Sequence, residues 1–280
     1  MDIQWYPGHM KKALNEMKAD LKLVDLIVEI LDARIPESSR NPDINGIANG
    51  KQRIVLMNKA DLADPASTAA WEEYFTDNGF GVVRSDGRSR KTLKDLSDEL
   101  NKFARLKNEK DRKRGILNRP LRAMIVGIPN VGKSTVINSL TGKGTMKTGN
   151  RPGVTRQKAW IRLSRTVELM DTPGILWPKF EDKNAGMLLS FTGAIKDERY
   201  VTYNLSAELG NLLLDRYRDE LLAYLGTSDV KDGHDVIKKT AEKRNILKKE
   251  GEPDLEKAAI ILLDDFRAAK IGRFTLELPA

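Results

Sequence analysis

The chain of 280 residues contains no cysteine and only two histidines, His9 and His234. The first absence excludes disulfides and every cysteine-ligated zinc or iron–sulfur site, and with them the zinc-finger route to RNA. Two histidines are too few for a histidine-rich metal centre. Long apolar runs are missing as well: none approaches the roughly 20 residues that span a bilayer. The amino terminus carries Asp2 and lacks the unbroken apolar core of a signal peptide. These absences point to a cytoplasmic protein without a membrane partner.

What is present is an ordinary globular mixture, 40% hydrophobic and 31% charged, long enough for one larger domain and one smaller. The net charge of +8 is unevenly placed. Residues 1–180 carry 32 Lys or Arg against 21 Asp or Glu, whereas residues 181–280 carry 16 against 19. The densest stretch, Lys102 to Arg122, sets nine basic side chains against Glu109 and Asp111. Such a cluster either attracts nucleic-acid phosphate through counterion release or is simply a solvated helix and linker.

Short apolar runs ending in polar residues predict strands buried on both faces at Val24–Leu31, Arg53–Met57, Gly81–Arg84 and Arg122–Val126. Ala159–Leu163 and Thr166–Met170 predict two more, joined by a turn. Helices are predicted from about Pro7 to Leu21 and over Ala66–Asn78, Thr92–Leu106 and Ser134–Leu140. From about Phe180 the pattern becomes helical throughout. Leu205, Leu209, Leu213, Tyr217, Leu221 and Leu225 form one stripe capped by Gly226; a last helix runs from near Pro253 to Gly272. The reading is a three-layer α/β domain over residues 1–178 and a smaller all-helical domain over residues 179–280.

Gly127-Ile128-Pro129-Asn130-Val131-Gly132-Lys133-Ser134-Thr135 fits GxxxxGK[ST] between a strand and a helix. Its backbone N–H groups would turn inward around phosphates at the positive end of the helix. Lys133 would reach the β- and γ-phosphates, and the Ser134 hydroxyl would bind Mg²⁺. The purine is chosen by Asn58-Lys59-Ala60-Asp61. A carboxylate at Asp61 accepts from N1–H and the 2-amino group of guanine, donors that adenine lacks there, so GTP and GDP are the expected ligands. Asn58 would tie the base loop to the phosphate loop, and the Lys59 stem would lie along the ring.

Asp171-Thr172-Pro173-Gly174 is too short a pattern to carry weight alone, but it ends a strand. There Asp171 would hold the Mg²⁺ shell and the Gly174 N–H would face the γ-phosphate. Thr155 would close on Mg²⁺ as a switch threonine, or is a plain turn residue. Ser85-Asp86-Gly87 would give backbone contacts to the base, although alanine is the more usual middle residue.

The order is base motif, phosphate loop, switch threonine, DTPG. That is a circular permutation of the usual GTPase order, with the joint near Lys107–Arg119 and the new break after DTPG, which then runs into the helical domain. Loss of the γ-phosphate would pass through this tether to the helices.

Trp5-Tyr6-Pro7-Gly8-His9-Met10, Asp32-Ala33-Arg34-Ile35-Pro36, Ser38-Ser39-Arg40-Asn41-Pro42 and Asp171-Thr172-Pro173-Gly174-Ile175-Leu176-Trp177-Pro178 together resemble the YlqF family of bacterial ribosome biogenesis GTPases. The similarity extends through Gly193-Ala194-Ile195-Lys196-Asp197 and weakens in the helical tail. The resemblance implies a factor for late assembly of the large (50S) ribosomal subunit, stimulated by that particle, with a helical domain similar to ANTAR-type RNA binders. It also implies a catalytic role for His9, because Ile175 stands where many GTPases place a water-orienting glutamine. Asn130 corresponds to a residue that in related GTPases helps hold K⁺, or it only stabilises the loop. The chain is expected to act as a monomer. Alternatives are a nucleotide-gated RNA clamp with incidental hydrolysis, or a GTPase for another ribosomal particle.

Overall fold

A computed structural model describes residues 15–48, 50–117, 119–142, 159–172, 183–195, 202–249 and 251–279. Residues 15–21 are helical and are labelled α1. There follow β1 (Leu26–Asp32), α2 (Asp43–Ile47), β2 (Gln52–Asn58), α3 (Pro65–Asp77), β3 (Gly81–Ser85), α4 (Lys94–Arg112), β4 (Leu121–Val126), α5 (Lys133–Thr141), β5 (Ala159–Arg162) and β6 (Val167–Asp171). The helical part contains α6 (Lys183–Phe191), α7 (Thr202–Arg216), α8 (Arg218–Leu225), α9 (Gly233–Lys243) and α10 (Leu255–Arg267).

Six strands form one sheet in the order β3-β2-β1-β4-β6-β5. The first five run parallel and β5 joins the edge antiparallel. All seven residues of β1 are buried, as a central strand with helices on both faces requires. On one side α4 lays down Leu96, Leu100 and Ala104, a four-residue repeat that keeps one helical face on the sheet. On the other, Trp71 and Phe75 of α3 pack beside Leu31, Val55 and Met57. Pro65 and the Asp64 carboxylate, which accepts from Ser67 N at 2.6 Å, start α3 after the base loop. Because the parallel strands share a direction, Asp32, Asn58, Ser85, Val126 and Asp171 come out at one edge. In open α/β sheets this carboxyl edge is where ligands bind.

The helical part shares its core with the sheet. One cluster of buried apolar side chains runs from Ile30, Ile35, Ile128 and Val131 into Phe191, Ile195, Leu209 and Phe266. Each such side chain removed from water contributes about 1.5–3 kcal/mol. Within this part α7 and α9 touch backbone to backbone. A Cβ at Gly210 would stand 2.9 Å from Gly233 Cα, and one at Gly233 would overlap the Ala207 carbonyl.

Three expectations change. The stripe from Leu205 to Leu225 is not one helix: Tyr217 (φ −138°, ψ 45°) separates α7 from α8, and its hydroxyl donates to Thr275 O at 2.7 Å. The last helix ends at Arg267, five residues before Gly272, with Ala269 in the left-handed region (φ 53°). The end of the chain is not helical: Phe274 N donates to Leu62 O at 3.3 Å and Leu276 N to Arg34 O at 2.7 Å, so this segment returns to the base-loop side of the sheet. The predicted start of α1 at Pro7 lies outside the described residues.

Candidate functional site at the carboxyl edge of the sheet

β4 runs directly into the phosphate loop, and two of its glycines are sterically fixed. Gly127 has φ +155° and would place a Cβ 2.6 Å from Ile30 O; Gly132 has φ +105° and its Cβ would overlap Asn58 Nδ2. Only glycine satisfies both demands. Gly132 is also the N-cap of α5 and has no side chain to occupy the helix's first N–H groups, so that positive end stays directed at the loop. Ser134 and Thr135 are half-buried in its first turn. Lys133 folds under the loop and donates to Gly127 O at 3.0 Å and Ile128 O at 2.8 Å. Burial pushes its ammonium down to about 8, partly opposed by the Asp171 charge.

The base loop follows β2 and is fastened to the phosphate loop twice. Asn58 Nδ2 donates to Val131 O at 2.7 Å; Lys59, left-handed at φ 59°, sends Nζ to Asn130 O at 3.0 Å and Asp32 Oδ2 at 2.9 Å. Ala60 N donates to Ser85 O at 3.1 Å and joins the base loop to Ser85-Asp86-Gly87. A Cβ at Gly87 would stand 2.7 Å from Asn58 Oδ1, so glycine is needed there for packing. Asp86 N donates to the Thr92 hydroxyl at 3.1 Å. Asp61 is half-buried, and the exposed Arg88 donates to its Oδ2 at 2.9 Å, a guanidinium on the carboxylate assigned to the guanine donors.

Asp171 ends β6 fully buried, and the neighbouring Thr172 hydroxyl donates to Ile125 O at 2.7 Å. The Ser134 hydroxyl and the Asp171 carboxylate are hard oxygen donors, the chemistry that suits Mg²⁺. Asn130, at φ 58°, donates from Nδ2 to Gly193 O at 2.8 Å, so the phosphate loop touches the turn after α6. His9, Thr155, Gly174 and Ile175 lie outside the described residues, as does the tether after DTPG. Sequence reasoning missed Arg88, Thr92 and Arg34 as neighbours of the base loop. For Arg34 the signal was an acid and a base placed at the mouth of a wholly buried strand.

A phosphate loop opening a helix, and an Asn-Lys-x-Asp loop pinned to it from earlier in the chain, define a circularly permuted P-loop GTPase. Residues 122–247 match the family model described as 50S ribosome-binding GTPase, starting at the phosphate-loop strand. Ribosome biogenesis GTPase A of Priestia megaterium is 42% identical over 100% of this chain and 98% of its own. The Thermotoga maritima protein of that name is 32% identical over 99% of this chain and 95% of its own. Among solved structures, GDP-bound TM YlqF is similar at a TM-score of 0.67 and 30% identity, covering 94% of this chain and 99% of that one. GNP-bound YlqF from T. maritima gives a TM-score of 0.66 at 29% identity, covering 96% and 98%. The chain belongs to the ribosome biogenesis GTPase A family, and it is a GTP hydrolase that binds guanine nucleotide. No helix among the described residues is long and apolar enough to cross a membrane.

Proposed function

We propose that the chain binds an immature large ribosomal subunit in its GTP state and couples hydrolysis to a late step of assembly. The observation carrying this reading is the contact of Asn130 with Gly193: one phosphate-loop residue touches both the base loop and the helical part. A change at the γ-phosphate therefore has a short route to the helices, in addition to any tether after DTPG. The working division is a GTPase domain over residues 1–178 and a helical domain over residues 179–280.

Within the site, Asp61 reads the guanine edge, Lys59 lies along the ring, and Asn58 with Ala60 holds the base loop against Ser85-Asp86-Gly87. The loop from Asn130 through Val131, Gly132, Lys133, Ser134 and Thr135 cradles the phosphates. Lys133 leaves the Gly127 and Ile128 carbonyls for the β- and γ-phosphate oxygens. Ser134, Asp171 and Thr155 would hold Mg²⁺, which when bound would supply positive charge beside the phosphates, and Asn130 would contribute to a K⁺ site. Gly174 senses the γ-phosphate. His9 orients the attacking water, a task Ile175 cannot perform because it has no hydrogen-bonding group.

For rRNA the supporting feature is α4. Arg105, Lys110, Arg112 and Lys113 are exposed, and none forms an ion pair with an acidic side chain among the described residues. Such a face gains affinity for phosphate through counterion release. The protein acts as a cytoplasmic monomer. Sedimentation with purified ribosomal subunits tests the reading. Large-subunit binding with a non-hydrolysable GTP analogue and release with GDP are expected; equal binding in both states, or preference for the small subunit, overturns it.

A further inference from the structure

Asp32 closes β1 with its carboxylate buried between two cations. Arg34 grips it with a two-pronged fork, Nε to Oδ1 at 2.9 Å and Nη2 to Oδ2 at 2.8 Å, while Lys59 Nζ shares Oδ2 at 2.9 Å. Burial pushes this carboxyl up, but Arg34 and Lys59 outweigh that effect and hold it well below the usual carboxylate range. A buried carboxylate between two donors of fixed geometry defines where both donors sit.

Arg34 also faces the helical part. Its guanidinium lies 5.8 Å from the centre of the Phe266 ring in α10, and its Nη1 lies 3.5 Å from Arg267 O. Its carbonyl accepts from Leu276 N at 2.7 Å. Arg267 in turn donates to Ser190 O at 2.8 Å and Phe191 O at 2.9 Å, closing the end of α6 just before Gly193. Gly193 O accepts from Asn130, whose own carbonyl accepts from Lys59. The contacts therefore close a ring: Lys59, Asp32, Arg34, the end of α10, the end of α6, Asn130, and back to Lys59.

We propose that Asp32 is a positioning residue for guanine recognition, and that Arg34 makes guanine binding and the seating of the C-terminal segment on the base loop strengthen each other. The proposal rests on the assignment of Lys59 to the guanine ring. Two sites that strengthen each other do so reciprocally, so nucleotide must tighten the segment that Arg34 holds.

Amide hydrogen exchange on the full chain, with GDP affinity measured alongside, tests this. In the unaltered chain GDP is expected to slow exchange at Phe274 and Leu276 by about fivefold or more. Asp32→Asn is expected to bind GDP about ten- to hundredfold more weakly, with no slowing of these amides at saturation. Arg34→Lys keeps the charge but loses the fork, so it is expected to lose the amide response and, by the same reciprocity, to bind GDP about five- to tenfold more weakly than the unaltered chain. Unresponsive amides in the unaltered chain, or a full response in Arg34→Lys, overturn the coupling. If Asp32→Asn does not fold, Arg34→Lys, which loosens the grip on the same carboxylate, also tests the positioning role: GDP affinity equal to that of the unaltered chain overturns it. Failure of the unaltered chain to bind GDP would instead undo the nucleotide-site reading.

Discussion

At the carboxyl edge of the sheet Asp32, Lys133 and Asp171 are buried, with Lys59 held between the loops; at the opposite edge Asp25, Arg119, Arg122 and Glu168 pair nearer the surface. The two edges use charge for different ends. A buried ion keeps its charge only where partners replace its water, so Asp32 fixes Arg34 and Lys59, and Lys133 is tied to the Gly127 and Ile128 carbonyls. At the amino edge Arg119 meets Asp25 at 2.5 Å and Arg122 meets Glu168 at 3.2 Å, with both arginines about half exposed. Pairs of that kind contribute little one by one, and because each is neutral as a pair they leave little net charge behind. Position is set by charge at one edge, and at the other charge is merely balanced near the surface.

Substitution at the carboxyl edge should have the largest effect. Gly132→Ala puts a methyl onto Asn58 Nδ2 in a backbone conformation, φ +105°, that alanine rarely adopts. The expected result is a loss of GDP affinity of at least about a hundredfold and a destabilisation of about 2–4 kcal/mol. Titration with a fluorescent GDP and urea unfolding measure the two; near-normal binding would mean that the loops are not held as described.

A pH series sharpens the same contrast at smaller scale. The Lys133 ammonium sits at about 8 instead of its ordinary 10.5. Between those values the unfolded chain keeps a proton that the folded chain has released, so stability of the nucleotide-free protein rises with pH across that window. Below about 8 the buried ammonium costs stability instead. Phosphate binding requires the charged form, so GDP affinity should fall by up to about tenfold per pH unit above about 8, with net proton uptake on GDP binding at pH 9. Calorimetry in buffers of different ionisation enthalpy reads this uptake directly, and its absence at pH 9 would place the ammonium in contact with water.

The smallest effect belongs to the amino edge. Arg119→Ala removes a half-exposed partner of Asp25 and should cost less than about 1 kcal/mol in urea unfolding, with GDP affinity unchanged. A large loss of GDP affinity would erase the distinction between the edges.

The strands were legible to within about two residues at each end, because a buried parallel strand must be apolar throughout and its ends are marked by polar residues. The motif pair was legible for the same local reason: a phosphate loop and a base loop each lie within nine residues of sequence. Contacts between distant segments were not legible. Nothing around Tyr217 signals a helix break, since the apolar stripe runs straight across it; the break comes from Thr275. α9 opens on a glycine, which by itself ordinarily argues against a helix. Gly233 is there because the Ala207 carbonyl leaves no room for a side chain. Asp32 and Arg34 read as members of a short motif, while their meaning came from Lys59, Phe266 and Leu276.

The strand order has a consequence during synthesis. β1 occupies the middle of the sheet, yet it emerges early, and β4, its partner on one side, follows about 90 residues later. At translation rates of roughly 5–20 residues per second, that edge waits for about 4–18 s, with β2 and β3 already available on its other side. During that interval the nascent chain presents a row of unpaired N–H and C=O groups beside apolar side chains, the arrangement most prone to pairing with a stranger. A rearranged gene order thus lengthens the time this chain must be shielded before its own strand arrives.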